Sequence, residues 1–179
     1  MIKKFEGFEG FSNNLKFLHI PKNAGTSIEK AGYEQNILWG FKEWEKKDEL
    51  GESIYNFKKL FNYNSPWIHK LTNLKTKKNR CYPWHLPLNK LDMNIYSKDD
   101  KIFTIVRNPY SKIVSAFKYK IKNPTKDDLN NFINEKLSNF EENKYWNGCH
   151  ILPQYEYTEN SKIKIDYILK FENLDNELI

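Results

Sequence analysis

The stretch LKFLHIPKNAGTSI, residues 15–28, decides how the rest of the chain is read. Its first six residues are mostly apolar and favour an extended conformation, which predicts a buried strand. Pro21 turns the chain, and Lys22, Asn23, Ala24, Gly25, Thr26 and Ser27 form a short polar loop. A helical pattern follows, with Ile28 and Ala31 as its apolar face and Gly32 placed as a helix C′ residue. A strand that feeds a glycine-containing loop and then a helix start makes an anion cradle. The first-turn N–H groups lack intrahelical acceptors, and the helix dipole puts partial positive charge there. Lys22 adds a full charge, Thr26 and Ser27 add hydroxyl donors, and Gly25 is expected to let the backbone approach a ligand closely. Phosphate and sulfate are the groups such a loop suits.

This loop is not the nucleotide-triphosphatase loop, in which lysine follows the last glycine and a hydroxyl meets magnesium. Here the lysine comes first and no glycine opens the loop. A second strand-to-helix unit lies in KIFTIVRNPYSKIVSAFKYKIK, residues 101–122. Residues 102–106 read as a buried strand with Arg107 at its C-terminal end. Asn108 is a natural N-cap and Pro109 fits the first helical position. Tyr110, Ile113, Val114, Phe117 and Ile121 then fall on one apolar face, with Ser111, Ser115, Lys118 and Lys122 on another. Ligands in open α/β sheets collect beyond the carboxyl ends of strands, where Lys22 and Arg107 both sit. The planar guanidinium of Arg107 suits a phosphate, and Ser115 offers a hydroxyl.

The order I-P-K-x-A-G-T-S resembles the 5′-phosphosulfate loop of sulfotransferases that use 3′-phosphoadenosine-5′-phosphosulfate (PAPS). The strand–R-x-P-Y-x-K-x-x-S pattern resembles their 3′-phosphate motif, with Arg107 and Ser115 at the matching positions. The closest likeness is to the carbohydrate sulfotransferase branch, and it runs from about Leu15 to Leu174. It implies an α/β fold with a mostly parallel central sheet flanked by helices, like that of the nucleotide kinases. It also implies PAPS as donor, adenosine 3′,5′-bisphosphate (PAP) as product, and an acceptor that is a small molecule or glycan. Members of the family usually continue with further helices, so the resemblance implies a single domain, residues 1–179, short of the family's C-terminal segment. That leaves a non-catalytic donor-binding module as one alternative, and an atypical ATP-dependent kinase as another.

Other segments add candidates. In CYPWHLPL, residues 81–88, two prolines bracket His85 and make a regular helix unfavourable. An imidazole titrating near neutrality can take a proton from an attacking hydroxyl, so His85 is the candidate general base, with packing as its other reading. His69 is the second candidate; His19 and His150 rank below it, and His19 is expected to pack beside the loop. Pro153 and Gln154 resemble a segment near the family's active site, which makes Gln154 a candidate substrate contact. Residues 52–61 carry apolar residues at helical spacing and predict a helix. Thr125 with Asp128 makes a capping box ahead of Leu129, Phe132, Ile133 and Leu137, and residues 163–171 read as a third core strand.

Composition sets outer bounds. The chain has 179 residues, 39% hydrophobic and 29% charged, enough for one domain with a buried core. No window of about 18 apolar residues occurs, so no membrane span is expected. The first 14 residues have no apolar signal core, which points to a cytoplasmic protein. Cys81 and Cys149 form no CxxC pair, and reduced thiols are expected. No metal is expected, since neither the four histidines nor the acidic residues cluster as ligands. The net charge of +6 favours anionic ligands. The lysines are spread along the chain, which does not single out nucleic acid. The cluster Lys75, Lys77, Lys78 and Arg80 is either a solvated face or an attractor for an anionic acceptor. Trp39, Trp67 and Trp84 are expected to pack in the core rather than stack on a sugar. The acceptor and the oligomeric state are not readable.

Overall fold

The computed structural model describes residues 14–35, 37, 39, 81, 85–87, 98–121, 123–159 and 164–177 in full, and residues 42–47 and 53–55 by their backbone. Among the described residues, three parallel strands form the central sheet: β1 (Leu15–Leu18), β4 (Lys101–Val106) and β5 (Tyr167–Lys170), in the order β1-β4-β5. Leu18 lies opposite Thr104, and Thr104 lies opposite Ile168. Thr104 buries its hydroxyl by donating to the Leu18 carbonyl at 2.8 Å. The middle strand reads IFTIV across residues 102–106 because both its faces are covered.

Strand alternation sorts the core into two layers. Leu15, Phe17, Phe103 and Ile105 pack with Ile28, Ala31 and Trp39, the side covered by α1 (Gly25–Glu34). Leu18, Ile20 and Ile102 face the other way and pack with Cys81, Leu86, Cys149, Leu152 and Tyr157. Helix α2 (Pro109–Lys118) leaves β4 through the Asn108 cap, whose side chain accepts from the Tyr110 and Ser111 amides. Helix α3 (Lys126–Ser138) starts with the expected Thr125–Asp128 capping box, and its Phe132 packs on Phe117 and Ile151. An antiparallel pair, β2 (Lys42–Lys47) and β3 (Ser53–Tyr55), forms a second, two-stranded sheet.

Several expectations need correction. The helix predicted over 52–61 gives way to β3 at Ser53–Tyr55, and the rest of that span lies outside the described residues. A short aromatic and β-branched run fits either state, and cross-strand pairing decides it. Gly32 lies inside α1 rather than past its end. A Cβ there would come within 2.7 Å of the Trp39 ring, so the glycine makes room for the tryptophan. On α2, Tyr110 is 80% exposed and leaves the predicted apolar face, while Lys112 is buried beside Ala116 and Phe117. The third strand spans only Tyr167–Lys170 and is largely exposed, a sheet edge rather than core. Leu137, predicted on the packing face of α3, is exposed.

Candidate functional site

The parallel pairing of β1 and β4 brings the two predicted strand tips together. Arg107 donates from Nη1 to the Lys22 carbonyl at 3.1 Å, so the two motifs touch. The loop that carries Lys22 reaches this position through two left-handed residues, Lys22 (φ 69°) and Ala24 (φ 65°), which re-aim the chain between β1 and α1. Ala24 caps the helix with its carbonyl, which accepts from the Ser27 and Ile28 amides. The Ser27 amide is therefore already engaged within the helix start. Thr26 and Ser27 are exposed at the helix start. Asn23 is fully buried and donates to the Ile105 carbonyl at 2.7 Å.

Gly25 has a task beside the expected one. A Cβ on residue 25 would lie 2.1 Å from Nε2 of His19, so the missing side chain houses the His19 imidazole. His19 is buried beside the loop as expected, and its Nδ1 lies 3.3 Å from Oε1 of the buried Glu29.

Around Lys22 and Arg107 the structure adds partners that sequence alone did not mark. The Lys22 ammonium lies 4.4 Å above the Tyr119 ring, and burial together with Arg107 lowers its pKa. The Arg107 guanidinium stacks on Phe171 at 4.0 Å and donates from Nε to Ser111 Oγ at 3.1 Å. Ser111 stands one helical turn after Arg107, a spacing that could have marked it. Glu172 accepts from the Asn108 amide at 2.8 Å, and this bond holds its carboxyl below the usual range. Ser115 is half-buried on α2, eight residues beyond Arg107. Gln154 sits between the two motifs, hydrogen-bonded to both Asn23 and Arg107.

His85 is buried and joins a cluster with His19 (ring centroids 4.6 Å apart) and His150 (5.7 Å). His150 in turn lies 5.3 Å from the Tyr119 ring, on which Lys22 rests. Three of the four histidines thus converge on one side of the donor loop; His69 lies outside the described residues, as do Lys75, Lys77, Lys78, Arg80, Trp67 and Trp84. Trp39 is in the core. The His85 Nδ1 lies 2.8 Å from the Gly148 carbonyl, an acceptor, so Nδ1 carries the proton and Nε2 keeps its lone pair. Burial, reinforced by His19, His150 and Lys112, pushes the His85 pKa well below 6.5 against the pull of that carbonyl. Burial and Lys22 lower His150 to about 3. Both rings are therefore neutral near pH 7.

The cysteine expectation is overturned. Cys81 and Cys149 are bonded as a disulfide between the segment carrying His85 and the segment carrying Gly148 and His150. Sequence spacing hides this pair, because the two residues are 68 apart and meet only through the fold. Among the described residues no group of His, Cys, Asp and Glu is placed to hold a metal ion, and no helix is long and apolar enough to cross a membrane.

A model of the sulfotransferase family matches residues 12–178. The chain belongs to the sulfotransferase family. The match covers both strand-tip motifs, the His85 segment and the Phe171–Glu172 stretch that closes on Arg107 and Asn108. The fold agrees with that membership, as a parallel sheet flanked by helices. Searches of curated proteins and of solved structures returned no match.

Proposed function

We propose that this sulfotransferase moves a sulfuryl group from PAPS to an acceptor hydroxyl or amine, with a carbohydrate as the acceptor class that its nearest branch suggests. One observation carries the reading: Lys22 and Arg107 stand on adjacent strand tips, joined by the Arg107–Lys22 hydrogen bond. One nucleotide can then meet an ammonium and helix-start amides at its 5′ end and a guanidinium at its 3′ end. The residues fit the donor on their own chemistry, since each tip offers anion-binding donors, and Lys22 and Ala24 in the connecting loop are left-handed.

The donor supplies the sulfuryl group and leaves as PAP. Lys22 and the amides of Asn23 to Thr26 stabilise charge that develops on the leaving oxygen, and the Thr26 and Ser27 hydroxyls add donors. Arg107, braced by Ser111 and Phe171, holds the 3′-phosphate together with Ser115. His85 accepts the acceptor's proton at Nε2, while Gly148 fixes the tautomer. The single-domain reading of residues 1–179 belongs to the same proposal.

The Cys81–Cys149 disulfide favours a compartment where thiols are not held reduced over the cytoplasm expected from the sequence.

A thermal-shift titration comparing PAP with ATP–Mg tests the donor, followed by transfer of labelled sulfuryl to a panel of glycans. A stabilisation by PAP that ATP–Mg does not reproduce supports the proposal. The reverse preference overturns it in favour of a kinase, and PAP binding without turnover on any acceptor favours a non-catalytic module.

A further inference from the structure

The donor reading leaves one side chain unexplained. Gln154 touches both motifs, yet its amide faces protein on every contact. Its Oε1 accepts from Asn23 Nδ2 at 2.6 Å and from the Arg107 amide at 2.8 Å. Its Nε2 donates to the Arg107 carbonyl at 2.7 Å. The side-chain amide thus pairs with the backbone of residue 107 on both its donor and its acceptor, as a neighbouring strand would. Beside the substrate contact expected of it, Gln154 acts as a brace between the two motifs.

The brace is itself held. Lys112, only 5% exposed, donates from Nζ to the His150 carbonyl at 3.1 Å and to the Leu152 carbonyl at 2.7 Å. Lys112 belongs to the helix that Arg107 introduces, so α2 fixes the segment whose next residues return to Arg107. On the loop side, Asn23 is fully buried and gives Nδ2 to both Ile105 and Gln154, while its Oδ1 has no partner among the described residues. A buried acceptor left unpaired is costly, so the Asn23 amide is oriented by its two acceptors and not by its own oxygen.

We propose that Gln154 is a positioning residue. It sets the separation between the Lys22 loop and Arg107, and so selects nucleotides that carry phosphate at both the 5′ and 3′ ends. This rests on the donor reading above. Two anion sites add their contributions for one ligand only when their separation matches the ligand, as in any bivalent contact. A monophosphate uses one site and does not sense the span.

The test is calorimetry with PAP, adenosine 5′-monophosphate and adenosine 3′-monophosphate on the wild-type chain, Gln154→Ala and Gln154→Met. The methionine keeps the volume and loses the hydrogen bonds, and circular dichroism checks that each variant is folded. Wild-type protein should prefer PAP to either monophosphate. Both variants should lose about tenfold or more of that preference, while each monophosphate stays within about twofold. Equal losses for PAP and adenosine 5′-monophosphate would overturn the proposal, since Gln154 would then only support the loop locally. An unchanged preference would overturn it as well. A wild-type chain without any preference for PAP sinks the donor reading itself, before a variant is made.

Discussion

Cys81 is bonded to Cys149, and the two cysteines bracket the 2.8 Å contact between His85 Nδ1 and the Gly148 carbonyl. Cys81 also lies against the His85 carbonyl, with its sulfur 3.4 Å from that oxygen. On the other side, Asn147 (φ 48°), Gly148 (φ 77°) and Cys149 (φ 70°) run left-handed in succession, a conformation that two non-glycine residues rarely hold without a constraint. The crosslink holds the last of these residues, next to the candidate base.

Reduction should therefore cost both stability and turnover. Closing a loop across 68 residues is worth about 4 kcal/mol in the chain-entropy account. Thermal melting with and without dithiothreitol, and of Cys81→Ser with Cys149→Ser, should show a fall of several degrees. Turnover should fall further than donor affinity, because the Gly148 carbonyl fixes His85 and not the donor loop. Melting unaffected by reductant would remove the crosslink from this account.

The pH dependence follows from the buried histidines. His85 titrates well below 6.5, so its neutral, proton-accepting form persists through mildly acidic solution. The acidic limb of kcat/KM should lie clearly below pH 6.5, and an inflection at or above that value would move the base elsewhere. Stability has a matching sign. The unfolded chain binds protons at these histidines first as the pH falls, so stability drops from about pH 6.5 toward the His150 value of about 3. Replacing His150 by Gln should flatten that part of an acid-unfolding curve.

Much of this was legible because strand tips announce themselves locally. An apolar run, a turn residue and a cap place Lys22 and Arg107 without any knowledge of the rest of the chain. Parallel order then makes them neighbours. What was not legible depends on contacts far apart in sequence: the Cys81–Cys149 bond, the convergence of His19, His85 and His150, and the Gln154 brace. Tyr110 was misassigned, and the burial of Lys112 was not marked, for a related reason. Helical periodicity says which residues share a face but not which face meets the core. Lys112 is buried because two carbonyls from the segment before Gln154 receive its ammonium. Burial, with no acidic partner among the described residues, lowers its pKa to about 7.

Gly25 offers a test of the loop's internal packing. Gly25→Ala forces the new methyl group onto His19, since the ideal Cβ lies within 2.6 Å of three ring atoms. Overpacking of this kind costs roughly 1–3 kcal/mol. Adding His19→Ala should recover part of that loss, a coupling that chemical denaturation can measure as a double-mutant cycle. Additive effects would mean that the glycine serves the backbone and not the imidazole.

Arg107 tests the 3′ end of the site. Its guanidinium already spends Nε on Ser111 and one Nη1 contact on Lys22, and it lies over the Phe171 ring. The remaining N–H groups are those proposed for the phosphate. Arg107→Lys keeps the charge but loses the fork and the stacking. PAP affinity should fall by roughly ten- to a hundredfold, with adenosine 5′-monophosphate little affected. Equal weakening of both ligands by calorimetry would take the 3′-phosphate away from this residue.

Lys22 tests the other end of the proposed site. Its ammonium is partly desolvated over Tyr119, with its pKa lowered by burial and by Arg107. Such a charge gains most when negative charge appears beside it, which happens as the nucleotide departs and not while the donor merely sits bound. Lys22→Ala should lower kcat by roughly a hundred- to a thousandfold and change donor KM much less. Tyr119→Leu, which removes the ring but not the ammonium, should cost far less. A Lys22→Ala protein that loses donor binding and turnover in equal measure would make the lysine a ground-state anchor and leave the leaving oxygen to the loop amides.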